Sequence, residues 1–400
     1  MTKQLLSKKI MSYFNIMSAF ATRRTLGSPL QVIHFVTAKC NFSCKHCFYH
    51  EELNKKNNEL TLEEIKKMSS NMGPIFFLLI GGGEPFIRQD LPEIIKTYYE
   101  NNGIQNLSIP TNASLTKKTV ADCEKILSEC SDLKFSLSLS LDGLHEEHDL
   151  VRSHPGSFKK LVETFHEVSK LKEKYPNFCV NILSTITSFN QTKLKEMYSF
   201  IKNELKPDIF QINYIRGKPK EAITANVDVK NYEDIHQLVE IDAKRDLESA
   251  PLNFKKFKLL VRNRVNKIRY NMIVDTVKTN KYVTPCYAAI YNVVISEEGD
   301  VYPCEILNKK MGNVRDYNLD FKKLWNSENA KNVRKFIRET NCFCTHECFM
   351  TTNILFNNKY ALNLLLGKKS PNNKGIDGNR DGVNAQTTVT ENPVNVSLKI

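Results

Sequence analysis

The sequence has no run of apolar residues long enough to cross a membrane. A bilayer-spanning helix needs about 20 predominantly apolar residues, whereas the longest apolar run, Ile75–Ile80, is only as long as a buried strand. The amino-terminal region also lacks the apolar core and the small-residue cleavage site of a secretory signal. The sequence therefore predicts neither a membrane-spanning nor a secreted protein.

Acidic residues are absent from the amino-terminal region up to Gly27, where five lysines and arginines occur. Four apolar residues recur there at helical spacing, namely Ile10, Phe14, Met17 and Ala21. This pattern predicts an amphipathic helix in residues 1–28. We expect the helix to pack against the main domain, and the alternative is a helix that lies on a membrane surface.

The eleven cysteines are an odd number, and a disulfide framework is a poor explanation for them in a chain without a secretory signal. Eight of them fall in two clusters with spacing typical of metal ligands. The other three, Cys123, Cys130 and Cys179, lie in helix or strand patterns and are predicted to be core residues. A reducing, cytoplasmic compartment follows.

The net charge of +13 is concentrated between Pro251 and Lys281, where nine basic residues accompany a single acid, Asp275. Such a stretch is typical of a solvated helix face. The alternative is a surface that attracts an anionic substrate, a lipid headgroup or an acidic peptide. Nucleic acid is not expected as a partner, because no recognised nucleic-acid motif accompanies the charge.

From Gln31 to Gly217 short β-rich runs alternate with amphipathic helical runs, as in parallel α/β proteins. The six predicted strands are Gln31–Thr37, Ile75–Ile80, Ile104–Pro110, Lys134–Leu141, Phe178–Thr185 and Asp208–Tyr214. Six βα units favour an open, partial (βα)6 barrel over residues 29–217. A helical connector (218–283), a cysteine-rich region with a β-hairpin (284–366) and a disordered tail (367–400) complete the predicted organisation.

The first cysteine cluster, Cys40, Cys44 and Cys47, has the spacing C-x3-C-x2-C directly after the first strand. Three thiolates on one loop can hold three irons of a 4Fe–4S cluster, which leaves the fourth iron open to another ligand. The alternative is a zinc site, although zinc normally takes four ligands.

A glycine run ending in Glu-Pro follows the second strand, and its members are Gly81, Gly82, Gly83, Glu84 and Pro85. Together with the cysteine spacing and Phe48-Tyr49 beside the third cysteine, it resembles the radical S-adenosylmethionine (SAM) superfamily. The resemblance implies that the open iron chelates SAM and that the glycine run binds its amino group. It also implies that reductive cleavage of SAM yields a 5′-deoxyadenosyl radical that abstracts hydrogen from carbon.

Further residues follow the later strands in the order that this family uses for contacts to SAM. Thr111-Asn112 resembles the family's Thr-Asn-Gly turn, with Ala113 in place of the glycine. Arg152 is expected to pair with the SAM carboxylate, since a guanidinium matches carboxylate geometry. The resemblance implies ribose contacts at the end of the fourth strand, from Ser138, Ser140 and Asp142.

The second cysteine cluster begins with the spacing Cys286-x12-Gly299-x4-Cys304, which predicts a hairpin that brings both cysteines together. Cys342, Cys344 and Cys348 follow. The region resembles the SPASM and twitch extensions of radical SAM enzymes, but its five cysteines are fewer than the seven of a full SPASM domain. The resemblance favours one auxiliary 4Fe–4S cluster held by Cys286, Cys304, Cys348 and either Cys342 or Cys344. A structural zinc site is the alternative.

The motifs predict radical chemistry but do not identify the substrate. We favour oxidation or rearrangement of a small or sugar-like molecule, because the amino-terminal segment is too short for a leader-peptide-binding domain. A peptide-modifying maturase is the second hypothesis, a lipid-linked substrate is a lesser one, and a non-catalytic iron–sulfur or zinc scaffold is the hypothesis from another class. Flavodoxin or ferredoxin is the expected reductant. The predicted substrate contacts are Asn181, Ser184, Gln211, Asn213 and Arg216.

Overall fold

The computed structural model describes residues 3–22, 25, 27–357, 359, 360, 364 and 382–386. Most of the tail predicted to be disordered, 367–400, lies outside the described residues. Strands β1 to β9 are Gln31–Thr37, Phe77–Gly82, Asn106–Thr111, Lys134–Ser140, Phe178–Ile186, Ile209–Tyr214, Asn292–Ile295, Asp300–Tyr302 and Gly312–Asn313.

The α-helices within the described residues include ten in the first 280 positions. In chain order, α1 to α9 are Lys3–Thr22, Leu62–Ser70, Leu91–Asn102, Thr116–Glu129, Glu146–Arg152, Ser157–Ser169, Leu171–Lys174, Leu194–Phe200 and Val229–Ser249. Helices α10 to α13 are Phe254–Thr279, Phe321–Trp325, Glu328–Glu339 and Glu347–Leu355. Short 3₁₀ turns occupy Pro85–Ile87, Ala222–Ala225 and Val314–Tyr317, and a π-helical turn occupies Ile201–Leu205.

All nine strands belong to one sheet, whose order is β6-β5-β4-β3-β2-β1-β7-β8-β9. Strands β1 to β6 pair in parallel with sequential neighbours, as expected for a partial (βα)6 barrel. The α/β fold class predicted from the sequence is confirmed. Thr61 begins α2 with a capping box to Glu64, so this helix start was readable from the sequence.

The carboxyl-terminal hairpin extends the barrel sheet. Strand β7 pairs in parallel with β1, with Gln31 opposite Asn292 and His34 opposite Ile295, and β8 then pairs with β7 in antiparallel fashion. The hairpin itself was predicted, but its attachment to β1 was not. The two cysteine regions therefore share one continuous sheet.

The basic stretch after Pro251 is a helix paired with an acidic neighbour. Lys267 and Lys278 of α10 form ion pairs with Glu240 and Glu233 of α9. This arrangement fits the solvated helix face that the charge pattern favoured. No helix in the described part of the chain is both long and apolar enough to cross a membrane.

Helix α1 packs against the barrel, as expected, but with its polar face. Its buried side chains are Leu5, Lys9, Ser12, Asn15 and Ala19. The apolar stripe predicted from the sequence, Ile10, Phe14, Met17 and Ala21, is exposed. Periodicity identified the helix correctly but did not identify the side that contacts the domain.

Candidate active site

A cavity of about 410 Å³ lies inside the partial barrel. Its wall includes the cysteine loop after β1, the carboxyl-terminal ends of β2, β3 and β4, and residues of β5 and β6. Parallel α/β sheets generally bind ligands at the carboxyl ends of their strands. The cavity is therefore the candidate active site.

The first three cysteines, Cys40, Cys44 and Cys47, all line this cavity. Burial raises the pKa of Cys40 to about 12 and that of Cys47 to about 11. Such thiols stay protonated unless a positive charge stabilises the thiolate, and iron ions supply that charge. The convergence of the three thiols on one cavity wall, and not their pKa values, makes the donor set fit an iron–sulfur cluster.

Hydrogen bonds fix the conformation of the cysteine loop. The Asn54 side chain accepts from the Cys40 N–H at 3.0 Å and donates to the Cys40 carbonyl at 2.9 Å. The Cys47 N–H donates to the Cys44 carbonyl at 3.2 Å, which closes a turn between these two ligands. The loop is thus preorganised.

The glycine run packs directly against the backbone of the cysteine loop. The Gly83 N–H donates to the Thr37 carbonyl at 2.8 Å, and a Cβ added at Gly83 would lie 2.2 Å from the Lys39 carbonyl oxygen. Gly81, Gly82, Gly83 and Glu84 line the cavity. Glycine is required here because the two loops touch through their main chains. Pro85 is buried and begins a 3₁₀ turn outside the cavity lining.

Glu84 connects the glycine run to the Thr111-Asn112 turn. Its buried carboxylate accepts from the Thr111 hydroxyl at 2.8 Å and from the Asn112 N–H at 2.7 Å. Burial raises the pKa of Glu84 to about 7 in spite of these donors. Ala113, where the family has glycine, has a φ of +62°, so the turn keeps the left-handed conformation that glycine favours.

Arg152 lies on the cavity wall with a buried counter-ion, Asp142. Its Nη2 is 2.5 Å from a carboxylate oxygen of Asp142, and its Nη1 lies 3.7 Å from Cys44 Sγ. Burial alone would raise the pKa of Asp142, but Arg152 and then His46 outweigh it and lower that pKa. The Arg152 Nε has no hydrogen-bond partner among the described residues, so it can take an anionic ligand group.

Asp142 itself is not part of the cavity lining. It is fully buried, and its second carboxylate oxygen accepts from the Thr185 N–H at 2.7 Å. The expected ribose contact from this side chain is therefore corrected to a positioning contact with Arg152. Ser138 and Ser140, the other residues assigned to the ribose, do line the cavity.

Strand alternation decides which polar residues reach the cavity. Successive side chains of a strand point to opposite faces, and Thr185 of β5 lines the cavity while Ser184 does not. The Ser184 hydroxyl instead donates to the Leu141 carbonyl. The expected substrate contact at Ser184 is corrected accordingly.

The other predicted substrate positions, Asn181, Gln211, Asn213 and Arg216, line the cavity. Gln211 donates to Asn213 at 2.8 Å, and the side-chain oxygen of Asn181 is buried without a partner in the described part of the chain. Unsatisfied buried polar atoms are rare and often mark a ligand position. Sequence reasoning missed Ser108 and Ser136, although Ser136, Ser138 and Ser140 alternate with leucine or phenylalanine along β4 and could have been grouped with it.

Glu305 is a lining residue that sequence reasoning missed. Its carboxylate lies 2.9 Å from Arg216 Nη2 and 2.5 Å from His346 Nε2. Burial opposes ionisation, but Arg216 and His346 overcome it and lower the pKa of Glu305 to about 2. The carboxyl-terminal region thus contributes a charged residue to the barrel cavity. Its only sequence signal was its position next to Cys304.

Four cysteines of the second cluster lie near one another. The Cys304 thiol accepts from the Leu307 N–H at 3.2 Å. Burial raises the pKa values of the Cys342 and Cys344 thiols. The nearby Cys286 and Cys304 raise these pKa values further. No three cysteine, histidine or carboxylate side chains in the described ranges converge closely enough to hold one metal ion.

Cys348, which the sequence assigned to the auxiliary cluster, lies on the wall of the barrel cavity. Burial raises the pKa of its thiol to about 11, although the nearby Arg216 lowers this pKa; the nearby Glu305 acts in the same direction as burial. The cavity therefore extends from the first cysteine loop to the last cysteine of the second cluster. Cys123 and Cys130 are buried in the core as predicted, and Cys179 is half-buried on β5.

Comparison with protein families agrees with this geometry. The radical SAM superfamily matches residues 35–201, and the SPASM iron–sulfur cluster-binding domain matches residues 286–349. The chain belongs to the radical SAM superfamily. It is therefore an enzyme that uses SAM and a 4Fe–4S cluster in its barrel, and its SPASM region carries auxiliary iron–sulfur chemistry.

The relatives of this radical SAM enzyme carry names that describe different reactions. The AdoMet-dependent heme synthase of Methanosarcina barkeri is 25% identical over 313 residues, which cover 77% of this chain and 85% of that protein. The cysteine-type anaerobic sulfatase-maturating enzyme of Clostridium perfringens is 26% identical over 330 residues, covering 77% and 81%. SuiB of Streptococcus suis, solved with its precursor peptide SuiA, has the same fold (TM-score 0.55, 16% identity, 82% of this chain and 70% of that chain).

Proposed function

We propose that this radical SAM enzyme oxidises a small-molecule substrate by two electrons inside the barrel cavity. The observation that carries the proposal is the composition of the cavity wall. It includes Cys40, Cys44 and Cys47 of the first cluster, and also Glu305 and Cys348 of the SPASM region. A substrate bound there would lie between the two iron–sulfur regions.

The residues around the first cluster suit the binding of SAM. We assign the cysteine triplet to the 4Fe–4S cluster, the glycine run with Glu84 to the SAM amino group, and the free Nε of Arg152 to the SAM carboxylate. When bound, the cluster and SAM supply the 5′-deoxyadenosyl radical. The protein itself orients SAM. Asp142 holds Arg152 in position, and Glu84 holds the Thr111-Asn112 turn in position.

The proposed reaction balances as a removal of two electrons and two protons. One substrate C–H bond breaks, and its hydrogen atom goes to the 5′-deoxyadenosyl radical. An auxiliary cluster held by the carboxyl-terminal cysteines would accept the second electron, and the second proton would go to water. We propose that the ligands of a single auxiliary cluster come from the five carboxyl-terminal cysteines, namely Cys286, Cys304, Cys342, Cys344 and Cys348.

Peptide modification is the second candidate. The name of one relative describes sulfatase maturation, and SuiB was solved with a precursor peptide. A cavity of about 410 Å³ suits either a small molecule or one side chain of a peptide whose backbone stays outside. Flavodoxin or ferredoxin is the proposed reductant, and the eleven free cysteines support a reducing, cytoplasmic location.

The radical mechanism is tested by the formation of 5′-deoxyadenosine. Anaerobically reconstituted protein is given SAM and dithionite, and the product is quantified by liquid chromatography. A variant with Cys40→Ala, Cys44→Ala and Cys47→Ala serves as the control and should form none. We expect about eight irons per chain, four for each of two clusters. About twelve irons would contradict the single auxiliary cluster, and tightly bound zinc without product would contradict the mechanism.

The substrate class is tested with size-fractionated cell extract as the probe. Stimulation of 5′-deoxyadenosine formation by a low-molecular-mass fraction that survives protease treatment would support the small-molecule proposal. Loss of that stimulation after protease treatment would favour a peptide instead. The cysteine triple variant controls for SAM breakdown that does not depend on the enzyme.

A further inference from the structure

Helix α1 exposes an apolar face to solvent. Its large apolar side chains Ile10, Phe14 and Met17 are 46%, 60% and 63% exposed. Residues separated by three, four and seven positions lie on one side of a helix, so these three side chains share a face, to which Leu6 and Tyr13 also belong. Contiguous apolar faces of this kind mark interaction surfaces in soluble proteins.

The opposite, polar face of α1 is held by the barrel. The Lys9 ammonium pairs with Asp132, and the Asn15 amide donates to the Ser28 carbonyl at 3.3 Å. A Cβ at Gly103 would lie 2.9 Å from the Lys8 backbone, so glycine permits close approach of the helix. The helix cannot roll to bury its apolar face without losing these contacts.

The amino-terminal sequence carries a net positive charge, of which the ion pair between Lys9 and Asp132 neutralises one unit. Five basic residues and no acid occur between Lys3 and Arg24, and the first acidic residue of the chain is Glu51. A basic amphipathic helix with large apolar side chains is the type that binds anionic lipid surfaces. A second copy of the chain would bring like charges together, whereas lipid phosphates would neutralise them.

We propose that α1 docks this enzyme onto an anionic lipid bilayer, with Leu6, Ile10, Tyr13, Phe14 and Met17 inserted among the headgroups. The apolar face supplies the buried area, and the basic residues other than Lys9 supply the attraction to anionic lipid. This inference stands independently of the reaction proposed above.

The location of α1 fixes the orientation of the docked enzyme. The helix contacts residues that precede the barrel strands: Ser28 before β1, Phe76 before β2, Gly103 before β3 and Asp132 before β4. The cysteine loop and the glycine run follow the carboxyl ends of the strands, at the opposite end of the barrel. The bilayer is therefore an anchoring surface, and the cavity faces away from it.

Vesicle co-flotation of the reconstituted full-length enzyme tests the proposal. Vesicles contain equal parts of phosphatidylglycerol and phosphatidylcholine, or phosphatidylcholine alone. The test variant carries Ile10→Gln, Phe14→Gln and Met17→Gln. The matched control carries Ile223→Gln, Ile241→Gln and Leu252→Gln, which are also exposed apolar residues. We expect binding to the anionic vesicles to fall at least about tenfold in the test variant and to be unchanged in the control.

Three further results decide the proposal. Unchanged 5′-deoxyadenosine formation by the test variant, together with weaker wild-type binding at high salt, would support an anchoring role on anionic lipid. Equal binding by both triple variants, or no binding by the wild type, would overturn it. The proposal would also be overturned if the wild type did not bind lipid and sedimented as a dimer, while the α1 variant alone sedimented as a monomer. The apolar face would then be assigned to contact with a second copy of the chain.

Discussion

At the scale of single residues, close packing and buried charge organise the SAM site. Gly83 lets the glycine run touch the cysteine loop, and Asp142 holds Arg152 on the cavity wall. Neither role is visible in the motif itself, because each depends on a contact with a different element of the fold.

Gly83→Ala should displace the cysteine loop, since its Cβ would lie 2.2 Å from the Lys39 carbonyl oxygen. We expect 5′-deoxyadenosine formation to fall by at least about tenfold, because small displacements of reacting groups are costly. Iron content and product formation are measured together. Gly156→Ala is the control for backbone strain without a clash, since its φ is +80° but no atom lies within 4 Å of its added Cβ. Equal activity of the two variants would contradict the packing argument.

Asp142→Asn should leave Arg152 as an uncompensated buried charge. Loss of one partner of a buried ion pair costs about 3 kcal/mol or more in the free energy of unfolding. Chemical denaturation measures this, and isothermal titration measures SAM affinity. The double variant Asp142→Asn/Arg152→Gln should recover stability but not SAM binding. Recovery of both would show that Arg152 does not contact SAM.

Glu84 should make the stability of the apoprotein depend on pH. Burial raises its folded pKa from 4.5 to about 7, so the folded state binds the proton more tightly than the unfolded state. The free energy of unfolding should therefore fall by about 3 kcal/mol as pH rises through this range. Glu84→Gln should reduce that slope by its own share, and Glu347, whose pKa burial also raises to about 7, should keep the rest. Glu64→Gln should not reduce it, because the pKa of Glu64 is lowered to about 2.

At the scale of elements, the alternation of each strand sorts its polar residues into two groups. Asn181 lines the cavity with an unpaired oxygen, whereas Ser184 donates a hydrogen bond to Leu141 on the other side of the strand. Hydropathy cannot distinguish these faces in a strand that is buried on both sides. The boundaries of the six barrel strands were predicted closely because each follows a local β-rich run.

Asn181→Ala and Ser184→Ala should separate these two roles. Once a substrate is identified, Asn181→Ala should raise KM about tenfold, because a polar ligand group would lose its partner. Ser184→Ala should leave KM unchanged and lower the free energy of unfolding by about 1 kcal/mol. Steady-state kinetics and denaturation of both variants test this. A raised KM in Ser184→Ala would contradict the assigned face.

At the scale of the whole molecule, the SPASM hairpin covers an edge of the barrel. Strand β7 pairs with β1, and Tyr49 beside the first cluster donates to Glu297 of the hairpin at 2.5 Å. Glu305 then reaches into the cavity from the same region. The two cluster regions are therefore one structural unit.

Truncation after residue 283 should expose the edge of β1 and cause aggregation, since unpaired strand edges recruit other chains. Full-length protein with Ser at Cys286, Cys304, Cys342 and Cys344 keeps the β1–β7 pairing and should remain soluble. Size-exclusion chromatography compares the two. A soluble, monomeric truncation would contradict a shared sheet.

The sequence by itself determined the chemistry and the fold class, because the cysteine spacing, the glycine run and the alternating strands and helices are local patterns. Four features depended on the tertiary structure: the inner face of α1, the partner of Asp142, the pairing of β7 with β1 and the contribution of Glu305 to the cavity. Each is a contact between different elements of the fold. Local periodicity and spacing carry no record of which distant surface a residue meets, so only packing could decide them.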